Sequence, residues 1–142
     1  MKLPDVNLLL YAVDAEAPRH AAARAWLESS LSGTEEVAFA SAVLLGFVRI
    51  ATNPAAFEDP MPPDEAFAYV EEWLARPVAS TLAPGPGHFT LMRELLQPLG
   101  VAGNLTSDAH LAALAIEHGA ELCSSDTDFG RFEGLRWTDP LS

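Results

Sequence analysis

Four short strand-like runs, at residues 3–10, 37–40, 78–82 and 121–125, recur along the chain, and stretches with helical spacing separate them. That alternation constrains the fold more than any other feature. Runs of this length read as strands buried on both faces. Strands that alternate with helices build a mostly parallel sheet, joined by right-handed crossovers. Residues 135–138 are a candidate for a short fifth strand. The expected fold class is therefore α/β: a central sheet of four or five strands, flanked by helices on both faces. A chain of 142 residues suits one domain over 1–142, burying roughly 68–70% of the surface its unfolded form exposes.

The intervening helices have their own signals. Pro18 opens a pattern with Ala22, Ala25 and Trp26 on one face, ending near Ser32–Gly33. Ser41 is placed to cap a helix carrying Leu44, Leu45 and Val48. Four prolines between 53 and 63 mark a loop. Pro63 then starts a helix whose Asp64 and Glu65 suit its positive end, with Phe67, Val70 and Leu74 as its apolar stripe. A further helix covers about 88–97. Ser107 is placed to cap the last one, which carries Leu111, Ala112, Leu114 and Ala115 and stops at Gly119.

Composition narrows the function. With 20 Asp and Glu against 8 Lys and Arg, the net charge is −12, which excludes a protein that holds nucleic acid on a basic surface. An apolar fraction of 49% excludes a disordered acidic tail. The single cysteine, Cys123, forms no internal disulfide. The apolar stretch 8–13 is too short for a signal-peptide core or a membrane span, so a cytoplasmic location is expected.

Which residues carry chemistry? In open α/β sheets, ligands bind beyond the carboxyl ends of the strands. Asp126 and Asp128 come directly after the fourth run. Asp108 lies in the first turn of a helix that starts at the same edge. Asp5 and Asn7, two apart in the first run, would share one side of a strand. A carboxylate inside a buried run is costly without partners. Asp5 therefore caps a helix, bonds backbone amides or belongs to a site. Singly, Asp108 can complement a helix dipole, and Asp126 and Asp128 can form a turn. Together, four carboxylates on one edge repel one another unless they hold a hard divalent cation. Mg²⁺ takes such oxygen ligands and keeps waters for substrate phosphate, and it can activate water against a phosphodiester. His20, His88, His110 and His118 lack metal-ligand spacing and read as surface or core residues. No phosphate-cradling glycine motif is present.

These residues resemble the PIN domain, in particular the VapC-type toxin ribonucleases of type II toxin–antitoxin systems. The resemblance spans nearly the whole chain. It rests on Leu3-Pro4-Asp5-Val6-Asn7, on Gly46-Phe47-Val48-Arg49 with Ala51-Thr52-Asn53-Pro54, and on Ser107-Asp108-Ala109-His110 through Ala115. Cys123-Ser124-Ser125-Asp126-Thr127-Asp128-Phe129 and the tail from Phe132 to Leu141 complete it. It implies a metal-dependent endoribonuclease using Mg²⁺ or Mn²⁺. Asp5, Asp108 and Asp126 match the family's metal-binding acids, with Asp128 a neighbour in the catalytic group. Asn7 and Ser124 match residues that support the acids. It further implies a homodimer held inactive by a small antitoxin.

One position departs from the pattern. Where many members carry a glutamate three residues before the arginine, this chain has Gly46, with Arg49 kept. That departure favours one tightly held cation, with Asp128 taking over part of the missing acid's role. It also motivates a second reading, a catalytically degenerate domain that binds RNA or antitoxin. Arg49 is the basic residue nearest the expected edge, suited to a phosphate or a site carboxylate. A third reading takes Asp126-Thr127-Asp128 as resembling the motif of aspartyl-phosphate phosphatases. That motif belongs after the first strand and works with a downstream lysine, whereas the only lysine here is Lys2.

Overall fold

A computed structural model describes residues 1–142. Five strands form one sheet: β1 (Lys2–Pro4), β2 (Val37–Ala40), β3 (Ala79–Leu82), β4 (Glu121–Cys123) and β5 (Trp137–Thr138). Their order is β3-β2-β1-β4-β5, and every neighbouring pair is parallel. Six α-helices alternate with them: α1 (Val6–Val13), α2 (His20–Leu31), α3 (Ser41–Ala51), α4 (Pro63–Leu74), α5 (His88–Leu96) and α6 (Leu105–His118). The α/β alternation and the parallel sheet are as the sequence implies. Successive residues of a strand point to opposite faces. All four residues of β2 are fully buried, so helices cover both faces of the sheet. Buried side chains from Leu3 to Phe132 form one cluster.

The first run differs from expectation in a way that matters for the site. Residues 3–10 are not one strand. The strand stops at Pro4, Asp5 is the N-cap of α1, and Leu8 and Leu9 are buried on a helix. A short apolar run does not distinguish a strand from a buried helix segment, and Asp is a strong helix initiator. Asp5 and Asn7 are consequently a cap and a first-turn residue, rather than two positions on one side of a strand.

Two helix faces and two helix starts also differ from expectation. In α2 the buried stripe is Ala23, Leu27, Ser30 and Leu31, while Ala22 and Ala25 are exposed. The larger Leu side chains win the core because they remove more apolar area from water. In α4 the inward residues are Ala66 and Trp73, one position off the predicted stripe, leaving Phe67 and Leu74 exposed. Trp73 sets that face: its ring meets Phe47 edge-on at 4.9 Å and stacks on Phe39 at 6.3 Å. Finally, α6 begins at Leu105, so Ser107 is inside the helix and caps nothing. Ser41 is likewise the first helical residue of α3 rather than its cap. Gly119 ends α6 with φ 64°, the left-handed conformation that favours glycine.

Candidate metal centre

The site forms where β1 and β4, neighbours in the sheet, both end. β1 hands over to α1 through Asp5, and β4 hands over to a 3₁₀ turn, Thr127–Arg131, through Asp126. Each aspartate caps the helical segment that begins after it. Asp5 Oδ1 accepts from the Val6 N–H at 2.7 Å, and Asp126 Oδ1 accepts from the Asp128 N–H at 2.9 Å. The structural roles open to Asp5 and Asp126 from the sequence are thus filled, and each keeps further acceptor capacity.

Ser124 ties the two together. It is fully buried. Its hydroxyl donates to Asp5 Oδ2 at 2.7 Å and accepts from the Asn7 amide at 3.2 Å and from the Asp126 N–H at 3.0 Å. One hydroxyl offers one donor and two acceptor lone pairs, so this one is fully used. Asn7 Oδ1 is buried and has no partner.

Asp108 reaches the same place from the first turn of α6. Carboxylate oxygens of Asp108, Asp126 and Asp128 all lie within 4.8 Å of one another. Asp5 is outside that trio but belongs to the same electrostatic group. Burial, then the charges of Asp126, Asp5 and Asp128, push the Asp108 carboxyl up to about 6. Burial also raises Asp5, against the pull of its bonds from Ser124 and Val6, and the charge of Asp126 adds to the rise. Like charges gathered this closely favour protonation or a bound cation. The donor set, all carboxylate oxygen with one unpartnered amide oxygen beside it, fits a hard divalent ion.

The remaining candidates are on α3. Arg49 is exposed on α3 and makes no ion pair. Gly46, one turn earlier, faces α1: a side chain there would meet only Val6 Cγ2, at 3.7 Å. That is ordinary contact, so the glycine is not forced by crowding. Gly46→Ala should raise stability by about 0.5–1 kcal/mol through the helix propensity of Ala. The expected rise in melting temperature is about 2–4 °C, and a fall would show that the glycine relieves a clash.

Sequence reasoning misses three features. Arg131 approaches Asp128 at 4.0 Å across the 3₁₀ turn, and its spacing from the acid is the available signal. The histidines, read from the sequence as surface or core residues, include a bonded group that their spacing does not show. His88, almost fully buried, joins Glu117 through Nδ1 and His110 Nδ1 through Nε2, the latter at 2.7 Å. Two of these residues are on α6, but His88 is on α5, and nothing local in the sequence links them. Trp137, on the last strand, bonds the Ser124 carbonyl at 2.9 Å. Cys123 is buried, and burial is the main cause that pushes its thiol up to about 12.

The chain matches the family model of the PIN domain over residues 2–135. It is 47% identical over 141 residues to a Mycobacterium tuberculosis protein named ribonuclease VapC33, covering 99% of each chain. It is 46% identical over 140 residues to ribonuclease VapC37 of the same organism, covering 99% of this chain and 97% of that one. Among solved structures it superimposes on VapBC2 from Rickettsia felis, bound to a promoter DNA fragment, with a TM-score of 0.69 at 18% identity and 96% of each chain covered. The M. tuberculosis VapC20 structure, described as a toxin cleaving the sarcin-ricin loop, gives 0.64 at 17% identity, covering 96% of this chain and 99% of that one.

Proposed function

The chain belongs to the PIN-domain family, among the VapC ribonucleases, and from that premise we propose that it is a metal-dependent endoribonuclease toxin acting on RNA phosphodiesters. The observation that carries this reading is the convergence of Asp108, Asp126 and Asp128 within 4.8 Å, with Asp5 held behind them by Ser124. Those carboxylates would hold Mg²⁺ or Mn²⁺. Such an ion lowers the pKa of a bound water and neutralises charge on the phosphodiester.

The protein's own residues do the rest. Asp126 is oriented through its N–H on Ser124 and through its Oδ1 on the Asp128 N–H. Asp5 keeps its direction through the Ser124 hydroxyl and the Val6 N–H. Asp108, with a carboxyl near 6, must lose its proton to act as a ligand, so cation affinity falls below that pH. Arg49 and Arg131 are the cations available to a substrate phosphate, Arg131 once Asp128 engages the ion. Few basic contacts and a cation bridge reconcile RNA as substrate with a charge of −12.

The same surface suggests the partners. A small antitoxin that presents an arginine or lysine to the carboxylates would neutralise them by charge complementarity. A second copy of the chain is the other proposed partner. Leu45 on α3 and Phe67 and Leu74 on α4 are exposed, the kind of apolar area homodimers bury. No helix is long and apolar enough to cross a membrane, and the proposed place of action is the cytoplasm, where its RNA is.

Two measurements test the reading. RNA incubated with the protein should be cleaved with Mg²⁺ or Mn²⁺ and left intact with a chelator. Failure to cleave any RNA with either ion would favour the binding-module alternative that Gly46 motivates. Calorimetric titration with Mn²⁺ should count one tight site, since Gly46 supplies no ligand; two tight sites would refute the one-cation version.

A further inference from the structure

The Trp137 side chain bonds none of the four aspartates, yet it meets the two pieces of backbone on which three of them depend. Its indole N–H donates to the Ser124 carbonyl at 2.9 Å. On the other side of the ring is the Thr127–Arg131 turn that carries Asp128. A side chain at Gly130 would begin 3.4 Å from Cζ3 of Trp137, so the turn lies directly on the indole.

Ser124 is where this matters. Its N–H donates to the Thr138 carbonyl at 3.0 Å, and its hydroxyl serves Asp5, Asn7 and Asp126. The carbonyl is the remaining polar group, and Trp137 occupies it. A buried residue bonded at its N–H, carbonyl and hydroxyl is held in one orientation, and with it the Asp5 carboxylate and the Asp126 backbone N–H that bond its hydroxyl. We propose that Trp137 is a positioning residue for the acidic site: by holding the Ser124 carbonyl and the underside of the turn, it fixes the direction in which Asp5, Asp126 and Asp128 present their oxygens to a divalent cation. The cation itself rests on the function proposed above. A role in packing alone would register in overall stability and leave the direction of the carboxylates unchanged.

The test uses the full chain with Trp137→Phe, which keeps a ring and loses the N–H, and Trp137→Leu, which loses both. Amide hydrogen exchange in the metal-free protein is the first readout. The Asp126 and Asp128 N–H groups donate to Ser124 Oγ and Asp126 Oδ1, so they report the alignment directly. Trp137→Phe should speed their exchange about ten-fold, and Trp137→Leu more, while β2 amides stay protected. The second readout is calorimetric affinity for Mn²⁺ alone. It should fall about 10–100-fold, the usual effect of losing a partner that orients a metal ligand. Trp73→Phe, in the core, should lower the melting temperature without that loss.

Unchanged exchange at Asp126 and Asp128 in both variants overturns the proposal, whether or not a cation binds. So does protection lost across β2 as well in Trp137→Phe, which would assign the residue to the core. Unaltered Mn²⁺ affinity beside a wild type that binds the ion overturns it too. Faster exchange at the two amides, with no Mn²⁺ bound even by the wild type, upholds the positioning of the acids and refutes the cation reading instead.

Discussion

Asp108→Asn is expected to abolish RNA cleavage and, at neutral pH without divalent cations, to make the chain more stable. Activity should fall at least 10²–10³-fold, the order lost when one preorganised electrostatic group is removed from an active site. The stability gain comes from the carboxyl near 6, raised by burial and by Asp126, Asp5 and Asp128. A carboxyl whose folded pKa is above its ordinary value of 3.8 favours folding when protonated. That contribution is lost as pH rises from about 4 through about 6, because the folded chain binds the proton more tightly than the unfolded one. The Asn variant carries no such charge. Its melting temperature should exceed that of the wild type at pH 7.5, and the gap should close by pH 4. Millimolar Mn²⁺ should reverse the order, since a ligand that binds the folded state stabilises it by mass action. Equal melting temperatures at pH 7.5 and pH 4 would refute the repulsion. Wild-type cleavage by the variant would remove Asp108 from the site.

The same opposition explains how the site is legible in the sequence. Acids placed after strands and at a helix start are conspicuous because they violate the apolar pattern of a buried sheet. Asp108, Asp126 and Asp128 do converge, while Asp5 caps α1 just past the end of β1, outside that trio. What the sequence misjudges is local. Residues 8–10 read as strand because period-based signals fail over short, wholly apolar stretches, and that reading puts Asp5 inside an element that it in fact begins. The displaced stripes of α2 and α4 have a similar origin. Several apolar residues on each helix compete for one inward face, and tertiary packing against Phe39 and Phe47 chooses Trp73 over Phe67 and Leu74. Partners far apart in sequence leave no local mark at all. Ser124 and Asp5 are 119 positions apart, and His88 is 29 from Glu117. The family resemblance brings out Ser124, and nothing in the sequence brings out His88.

His88→Ala is expected to cost about 2–4 kcal/mol of stability, the range for stranding buried polar partners and opening a cavity. The imidazole is 1% exposed and bridges α5 to α6. Its Nδ1–H donates to Glu117 Oε1, and Glu117 Oε2 in turn accepts from the Gly85 N–H at 2.7 Å. His110 is held below its ordinary range, first by burial and then by His88, so it serves as a neutral donor from Nδ1 to His88 Nε2. Every donor in that chain has an acceptor, and removing the middle ring leaves Glu117 and His110 facing a void. The pH dependence comes from Glu117. Burial pushes its carboxyl up, but the bonds from His88 and Gly85 more than offset this and leave it below 4.5. A depressed carboxyl stabilises the fold above its unfolded pKa, and that share is lost as pH falls through the folded value. The difference in melting temperature between wild type and variant, about 5–15 °C at pH 7, should therefore narrow below pH 4. A variant that melts with the wild type at pH 7 would show that α5 and α6 are held together by their apolar faces alone, through Met92, Leu95, Leu111 and Leu114.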